Sequence, residues 1–172
     1  MSRKVLVLPY NPAWPQQFEA ECVALQAIFG NEAVAIHHIG STSIPGMSAK
    51  PIIDLLVEVS DINGVDHFNE KMFETGYTPK GENGITGRRY FFKGSEDLHV
   101  SHVHCFQSGD GQIELLLNFR DYLMVHPGEA RSYSRLKEIL AKRFPEDIDA
   151  YLKGKKGFIQ EIDGKARIWK ER

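Results

Sequence analysis

The alternation of apolar and polar residues divides this chain into short strands and amphipathic helices. Val5 to Leu8 is a brief apolar run, ended by Pro9 and Pro12. Trp14, Phe18, Cys22, Leu25 and Phe29 then recur at spacings of three and four, which puts them on one face of a helix over residues 13–29. Gly30 is its stop. Val34 to Ile39 has the β-propensity of a strand. Gly40 to Pro51 mixes Gly, Ser, Thr and Pro, a loop with room for a short helical turn. Ile52 to Val59 is apolar almost throughout, as in a strand covered on both faces, and Asp54 interrupts it.

Beyond it, Val65, Phe68, Met72 and Phe73 form the stripe of a helix over residues 64–75, closed by Gly76. Tyr77 to Pro79 is a short strand, and Gly81 to Gly87 a glycine-rich turn. Arg88 to Lys93 and His99 to Phe106 read as antiparallel strands joined by a polar loop. Residues 111–125 form a helix ended at Pro127. Residues 128–143 form another, with Ala130, Tyr133, Leu136, Leu140 and Phe144 on one face. Pro145 opens a last helix that runs to Trp169 with a break at Gly154. This order predicts an α/β (α+β) fold: one mixed β-sheet flanked by helices, with a helical C-terminal part.

Composition narrows the class. A length of 172 residues suits one domain, and no repeat or linker divides residues 1–172. At 42% hydrophobic and 26% charged, the chain is neither disordered, collagen-like nor a coiled coil. A chain of this size buries about 70% of its unfolded surface, so it needs no disulfide or metal to fold. Cys22 and Cys105 are too few for a disulfide framework and suggest a reducing compartment. No apolar run approaches the ~20 residues of a membrane helix, and Met1 to Pro9 lacks the length and small residues of a signal peptide. A soluble, cytoplasmic protein with no membrane partner is expected.

The net charge of −2 argues against a broad nucleic-acid surface. Its distribution is uneven. Residues 1–119 hold 8 Lys and Arg against 14 Asp and Glu, a net of −6, and residues 120–172 hold 13 against 9, a net of +4. Solvated helical faces account for this, and so does a basic half closing over an anionic ligand such as phosphate.

Four groups of residues could carry chemistry. Gly40-Ser41-Thr42-Ser43 follows a strand. Its glycine allows close backbone approach, and its N–H groups and hydroxyls suit phosphate oxygens, although Gly-Ser-Thr is also ordinary turn chemistry. Asp54 lies among apolar residues, where a carboxylate is costly without a partner; an ion pair, a metal or a ligand would each supply one. Glu58 shares its strand face but stands roughly 13 Å away, and the nearer position holds Leu56. His102 and His104 alternate onto one strand face, roughly 6.5 Å apart. That spacing suits two ligands of one metal, two groups reaching one phosphate, or two incidental surface histidines; alternation turns His99 the other way. Finally, Arg120 and His126 are candidate anion ligands, while Arg120 with Asp121 could instead lock a helix to the sheet. Lys50 and the pair Arg88-Arg89 are further cations able to reach the same cleft.

Together these segments resemble one family. His38-Ile-Gly-Ser-Thr-Ser-Ile-Pro-Gly-Met-Ser-Ala-Lys-Pro-Ile-Ile-Asp54 resembles the signature of the GrpB family of small bacterial proteins. The resemblance continues through His102-Val103-His104, Phe119-Arg120-Asp121-Tyr122-Leu123, His126-Pro127, Tyr133, Leu136-Lys137 and Leu140-Ala141 to Trp169. That family is similar to the nucleotidyltransferase superfamily that includes DNA polymerase β. There a Gly-Ser turn holds nucleotide phosphates, and Asp-x-Asp or Asp-x-Glu on a following strand holds two divalent ions. Gly40-Ser41 and Asp54 match; Leu56, in the second carboxylate position, does not.

The resemblance therefore implies a nucleotidyltransferase-like protein acting on a nucleotide or another phosphorylated small molecule. Gly40, Ser41 and Thr42 would cradle phosphate, with Lys50, Arg89 and Arg120 neutralising charge. Asp54, His102 and His104 would be metal ligands or acid/base groups. The divalent metal would be Mg²⁺, Mn²⁺ or Zn²⁺, of which histidine favours the transition ions. The alternative is a catalytically silent phosphate-ligand-binding or regulatory domain with a degenerate metal site.

Overall fold

The computed structural model describes residues 3–172. Helix α1 (Trp14–Phe29) leads into strand β1 (Ala33–Ile39), a 3₁₀ turn at Ser41–Ser43, and β2 (Ile53–Val59). Then come a 3₁₀ segment at Ile62–Phe68, α2 (Asn69–Glu74), β3 (Tyr77–Pro79), β4 (Arg88–Gly94) and β5 (His99–Gln107). The C-terminal part is α3 (Gly111–Val125), α4 (Pro127–Arg143) and α5 (Ile148–Lys170). The sheet runs β1-β2-β5-β4-β3. Only β2 and β5 are parallel; the other pairs are antiparallel. The sheet is mixed and flanked by helices, as the sequence pattern predicts.

Strand alternation assigns its two faces. Ile53, Leu55, Val57 and Val59 point to one face, where Trp14, Leu25 and Phe29 of α1 and Met72 of α2 cover them. Asp54, Leu56 and Glu58 point to the other. There Leu56 packs with Ile39, Phe106 and Ile113 under α3, while Asp54, one pleat beyond, lines a cleft. A separate apolar cluster joins Tyr122 and Leu123 of α3, Tyr133 of α4, and Ile162 and Ala166 of α5 to Ile44 and Met47 of the loop after β1. This cluster fixes the helical part against the loop that carries the Ser-Thr turn. Among the described residues, no helix is long and apolar enough to cross a membrane.

Several local expectations are corrected. The helix expected over residues 64–75 is a 3₁₀ segment followed by the short α2. Asp61 caps it by accepting from the Asn63 N–H, and the change from about three to 3.6 residues per turn shifts the stripe. Phe73 is consequently exposed while Met72 is fully buried. The last helix starts at Ile148, not Pro145, because Asp147 accepts from the Ala150 N–H and sets the cap. It does not break at Gly154. A β-carbon there would lie 2.5 Å from a methyl of Leu140, so the glycine serves close approach of α4 and α5. The run from Val5 to Leu8 forms no strand of its own: Val5 N–H donates to Pro145 O and Leu8 pairs with Ala49.

Two glycine substitutions in α5 separate packing from propensity. Gly157 has no neighbour within 4 Å of a β-carbon, so Gly157→Ala is expected to stabilise by up to about 1 kcal/mol. Gly154→Ala is expected to destabilise by roughly 1–3 kcal/mol through overpacking against Leu140. Chemical denaturation of both variants checks this; equal effects would contradict the close contact.

Candidate active site

The parallel pairing of β2 with β5 aligns Asp54 with His102 and Leu56 with His104. Both histidines thereby reach one carboxylate oxygen: His104 Nε2 lies 3.2 Å and His102 Nδ1 3.5 Å from Asp54 Oδ1. Tyr90 of β4 lies beside both rings, at 5.5 Å from His102 and 5.4 Å from His104. The Arg88 guanidinium sits 4.8 Å from the Tyr90 ring centre and is itself held by Glu82 O and Asn83 O.

The direction of these hydrogen bonds follows from arginine, which can only donate. Arg88 Nη1 donates to His104 Nδ1 at 3.3 Å. The His104 proton is therefore on Nε2, aimed at Asp54. Arg3 Nη1 likewise donates to His99 Nδ1 at 3.0 Å, and His102 Nε2 lies 2.8 Å from that same nitrogen. The strict alternation that would turn His99 away fails at a β-bulge. Lys93 pairs with Ser101 but Gly94 with His99, and the extra residue, Val100, brings His99 to the side of His102.

Burial raises the Asp54 carboxyl, but hydrogen bonds from His102 and His104 outweigh it and hold the group well below the usual carboxylate range. Asp54 is thus an ionised acceptor at neutral pH, able to orient a hydroxyl or meet a cation. A three-ligand metal centre fits this wiring poorly. His104 would have to give up the Nε2 proton that the Arg88 bond assigns to it, and among the described residues no group of three or more His, Cys, Asp or Glu is placed to hold an ion.

The Ser-Thr turn closes over the same point. Gly40 has φ 73°, and a β-carbon on it would lie 2.7 Å from Asp54 Oδ2. The close approach that glycine allows is to this carboxylate. Thr42 is buried and bonded to His38 Nε2 at 2.9 Å; burial pushes the His38 imidazole down to about 4. Ser43 turns inward to donate to Gly40 O. Ser41 faces α4, where Lys137 Nζ donates to its Oγ at 2.7 Å.

Between this turn, β2, β5 and α5 lies a cleft of about 640 Å³. Arg3, Lys50, Arg88, Lys137 and Lys155 contribute to its lining, and Asp54 is the one acidic residue there among the described residues. Burial, reinforced by neighbouring cations, lowers Lys50 to about 7 and Lys137 to about 6. Burial lowers Lys155 to about 8. Lys50 and Lys155 lie over the Tyr151 ring, 5.2 Å and 4.7 Å from its centre, and the buried Tyr151 hydroxyl has no hydrogen-bond partner among the described residues.

A GrpB protein family model matches residues 4–165. The chain belongs to the GrpB family. It is 50% identical to protein YqkA of Bacillus subtilis over 169 residues, which cover 98% of this chain but 49% of that protein. The chain thus spans about half the length of YqkA. The crystal structure of the GrpB protein from Enterococcus faecalis aligns with a TM-score of 0.91 at 42% identity, covering 95% of this chain and 99% of the other. The Cid1 poly(U) polymerase, in a structure with Mg and 3′-dATP bound, aligns with a TM-score of 0.54 at 13% identity, covering 78% of this chain and 43% of the other. That likeness is one of fold, and the fold is nucleotidyltransferase-like.

Within this GrpB-family site, the structure gathers Gly40, Ser41, Thr42, Lys50, Asp54, His102 and His104, but not every expected cation. Arg89 falls on the opposite sheet face by alternation and pairs with Asp66 at 2.8 Å; Arg88 takes the place expected of it. Arg120 bonds Asp121 and His38 O, the locking role, and does not line the cleft. His126 stacks on Tyr122 in the helical part, with Nδ1 2.7 Å from Tyr122 O.

Lys137, Lys155, Arg3, Tyr90 and Tyr151 escaped the sequence reading as site residues. Two carried a legible signal. Lys137 sits four residues after Tyr133 and three before Leu140, in the buried stripe of α4, and Lys155 sits four after the buried Tyr151. A lysine on an apolar face is the mark to look for.

These lysines make stability depend on pH with a definite sign. Unfolded, a lysine keeps its proton to about pH 10.4; folded, Lys50, Lys137 and Lys155 lose theirs near 7, 6 and 8. The unfolded chain therefore binds more protons between pH 7 and 9, and stability rises with pH across that window. Lys137→Met is expected to stabilise the ligand-free chain at pH 7 by about 0.5–2 kcal/mol and to flatten the rise. Thermal unfolding against pH checks this; a destabilised variant with an unchanged pH slope would contradict it.

Proposed function

We propose that this GrpB-family chain binds a nucleotide or another phosphorylated small molecule in the cleft beside Asp54, with its phosphates against Lys50, Lys155, Arg88 and the Ser-Thr turn. The observation that carries this reading is the composition of the cleft: five basic side chains in its lining against one carboxylate. Cations crowded so closely repel one another and lose hydration, and an anionic ligand reverses both costs. The Tyr151 hydroxyl, without a hydrogen-bond partner among the described residues, gives a ligand a further polar contact. The nucleotidyltransferase-like fold, and a structural neighbour crystallised with Mg and 3′-dATP, make nucleotides the first ligands to test.

Leu56, fully buried, stands where a two-ion mechanism uses the second carboxylate of a pair, and Glu58, the other carboxylate of the strand, is a further pleat away. On this reading the lysines, not a pair of carboxylate-bound ions, carry most of the phosphate charge. Asp54, kept ionised by His102 and His104, orients the hydroxyl that would accept the transferred group. The catalytically silent binder draws on the same cleft, and it is favoured by the commitment of both histidines to hydrogen bonds.

Thermal unfolding with nucleoside triphosphates, in a chelator and then with Mg²⁺, Mn²⁺ or Zn²⁺, tests the reading. A ligand at a hundred times its Kd stabilises by about 2.7 kcal/mol, a shift of roughly 5–10 °C at this size. A shift in the chelator is expected, and its loss in Lys155→Ala. A shift that needs metal would instead assign Asp54 to an ion, and none with any nucleotide would contradict the nucleotide assignment.

A further inference from the structure

Ser41 and Lys137 form a pair that phosphate binding alone does not explain. Lys137 is 1% exposed. Its Nζ lies 2.7 Å from Ser41 Oγ and 4.3 Å from the centre of the Tyr133 ring. Lys50 of the loop and Lys155 of α5 repel its charge, and Glu138 on its own helix opposes them only weakly. As a structural tie this is a poor choice, because a buried charge without a counter-charge is destabilising and an uncharged donor would hold the turn as well.

As a neutral amine the same group is a base at hydrogen-bond distance from a hydroxyl. Burial and the neighbouring lysines favour that form at neutral pH. The hydroxyl is also held in place: Ser41 is fixed by the 3₁₀ turn and by a second hydrogen bond to the Tyr133 side chain, and both Ser41 and Lys137 line the cleft. A nucleophile, an adjacent base and a third orienting group make up an activated serine.

We infer that Ser41, with Lys137 as its base, is a covalent nucleophile toward a phosphoanhydride bound in the cleft. The inference rests on the cleft being a phosphorylated-ligand site. In the step, Ser41 Oγ forms a bond to phosphorus and the anhydride P–O bond breaks. The bonding electron pair leaves on the departing phosphate or pyrophosphate, and the Ser41 proton passes to Lys137 Nζ. The product is a phosphoryl or nucleoside-monophosphoryl ester of Ser41. A hydroxyl or water then attacks the same phosphorus and the P–Oγ bond breaks; Lys137 returns its proton to Ser41 Oγ, and the proton of the attacking hydroxyl leaves to solvent. Lys50 and Lys155 are left to carry the ligand's charge.

Mass spectrometry of the full chain, acid-quenched between milliseconds and an hour after mixing with each of four nucleoside triphosphates and Mg²⁺ or Mn²⁺, tests the step. The expected result is an adduct on Ser41 whose mass tells which phosphorus was attacked. It is absent in Ser41→Ala and forms about 10²-fold more slowly in Lys137→Arg, which keeps the charge but removes the base. Lys137→Met serves if the arginine does not fold. Thermal unfolding of the same wild-type samples separates the two claims. A nucleotide-induced shift without an adduct on Ser41 overturns the covalent step and leaves the binding reading intact. No shift and no adduct overturns both. An adduct formed at the wild-type rate in Lys137→Arg removes Lys137 as the base.

Discussion

Parallel strands cannot be joined by a hairpin, and the chain between β2 and β5 is used to build the other half of the sheet. Once that crossover is made, the pairing of β2 with β5 fixes everything at the site. It sets Asp54 beside His102 and Leu56 beside His104, and a slip of one residue would turn all of them to the α1 face. Leu56 is held in register by packing with Ile39, Phe106 and Ile113. The apolar contact under α3 thus determines where the polar contact at Asp54 falls. Gly40 follows from the same geometry, since β1 ends beside Asp54 and the turn must cross within touching distance of its carboxylate.

Around that fixed point the protein concentrates basic side chains that it does not pair with carboxylates. Arg88 spends its donors on loop carbonyls and on His104, and Lys50, Lys137 and Lys155 meet aromatic faces instead of carboxylates. Contacts of this kind return only part of the hydration lost on burial. The ligand-free chain is therefore less stable than an apolar version of the same cleft would be, an arrangement natural proteins tolerate where function requires it. Among the described residues, the lysine and arginine ion pairs lie outside the cleft, Arg89 with Asp66, Lys93 with Glu21 and Lys165 with Glu129 among them.

Much of this was legible in the sequence. The strand from Ile52 to Val59 announced its two covered faces, and Asp54 stood out because a lone carboxylate in such a run demands a partner. His102 and His104 followed from alternation. What the sequence could not show was tertiary in origin. Alternation makes one of Arg88 and Arg89 face the site but does not say which, because that depends on the register of β4 against β5. The side of His99 turned on a single bulged residue. Lys137 and Lys155 come from helices far along the chain, and only the packing of α4 and α5, closed at Gly154, brings them over the Ser-Thr turn. The 3₁₀ segment before α2 is a local matter that propensity resolves poorly.

On the proposed reading, the cleft's one buried and two half-buried lysines, Lys137, Lys50 and Lys155, have their charge completed by an anionic ligand. Calorimetric titration of the chain with a nucleoside triphosphate at pH 8, in buffers of different ionisation heat, decides whether they do. Lys50 and Lys155, lowered to about 7 and about 8 in the free chain, should regain protons as phosphate approaches, so the observed heat should report net proton uptake from the buffer. Binding with no proton uptake, or with release, would contradict the account.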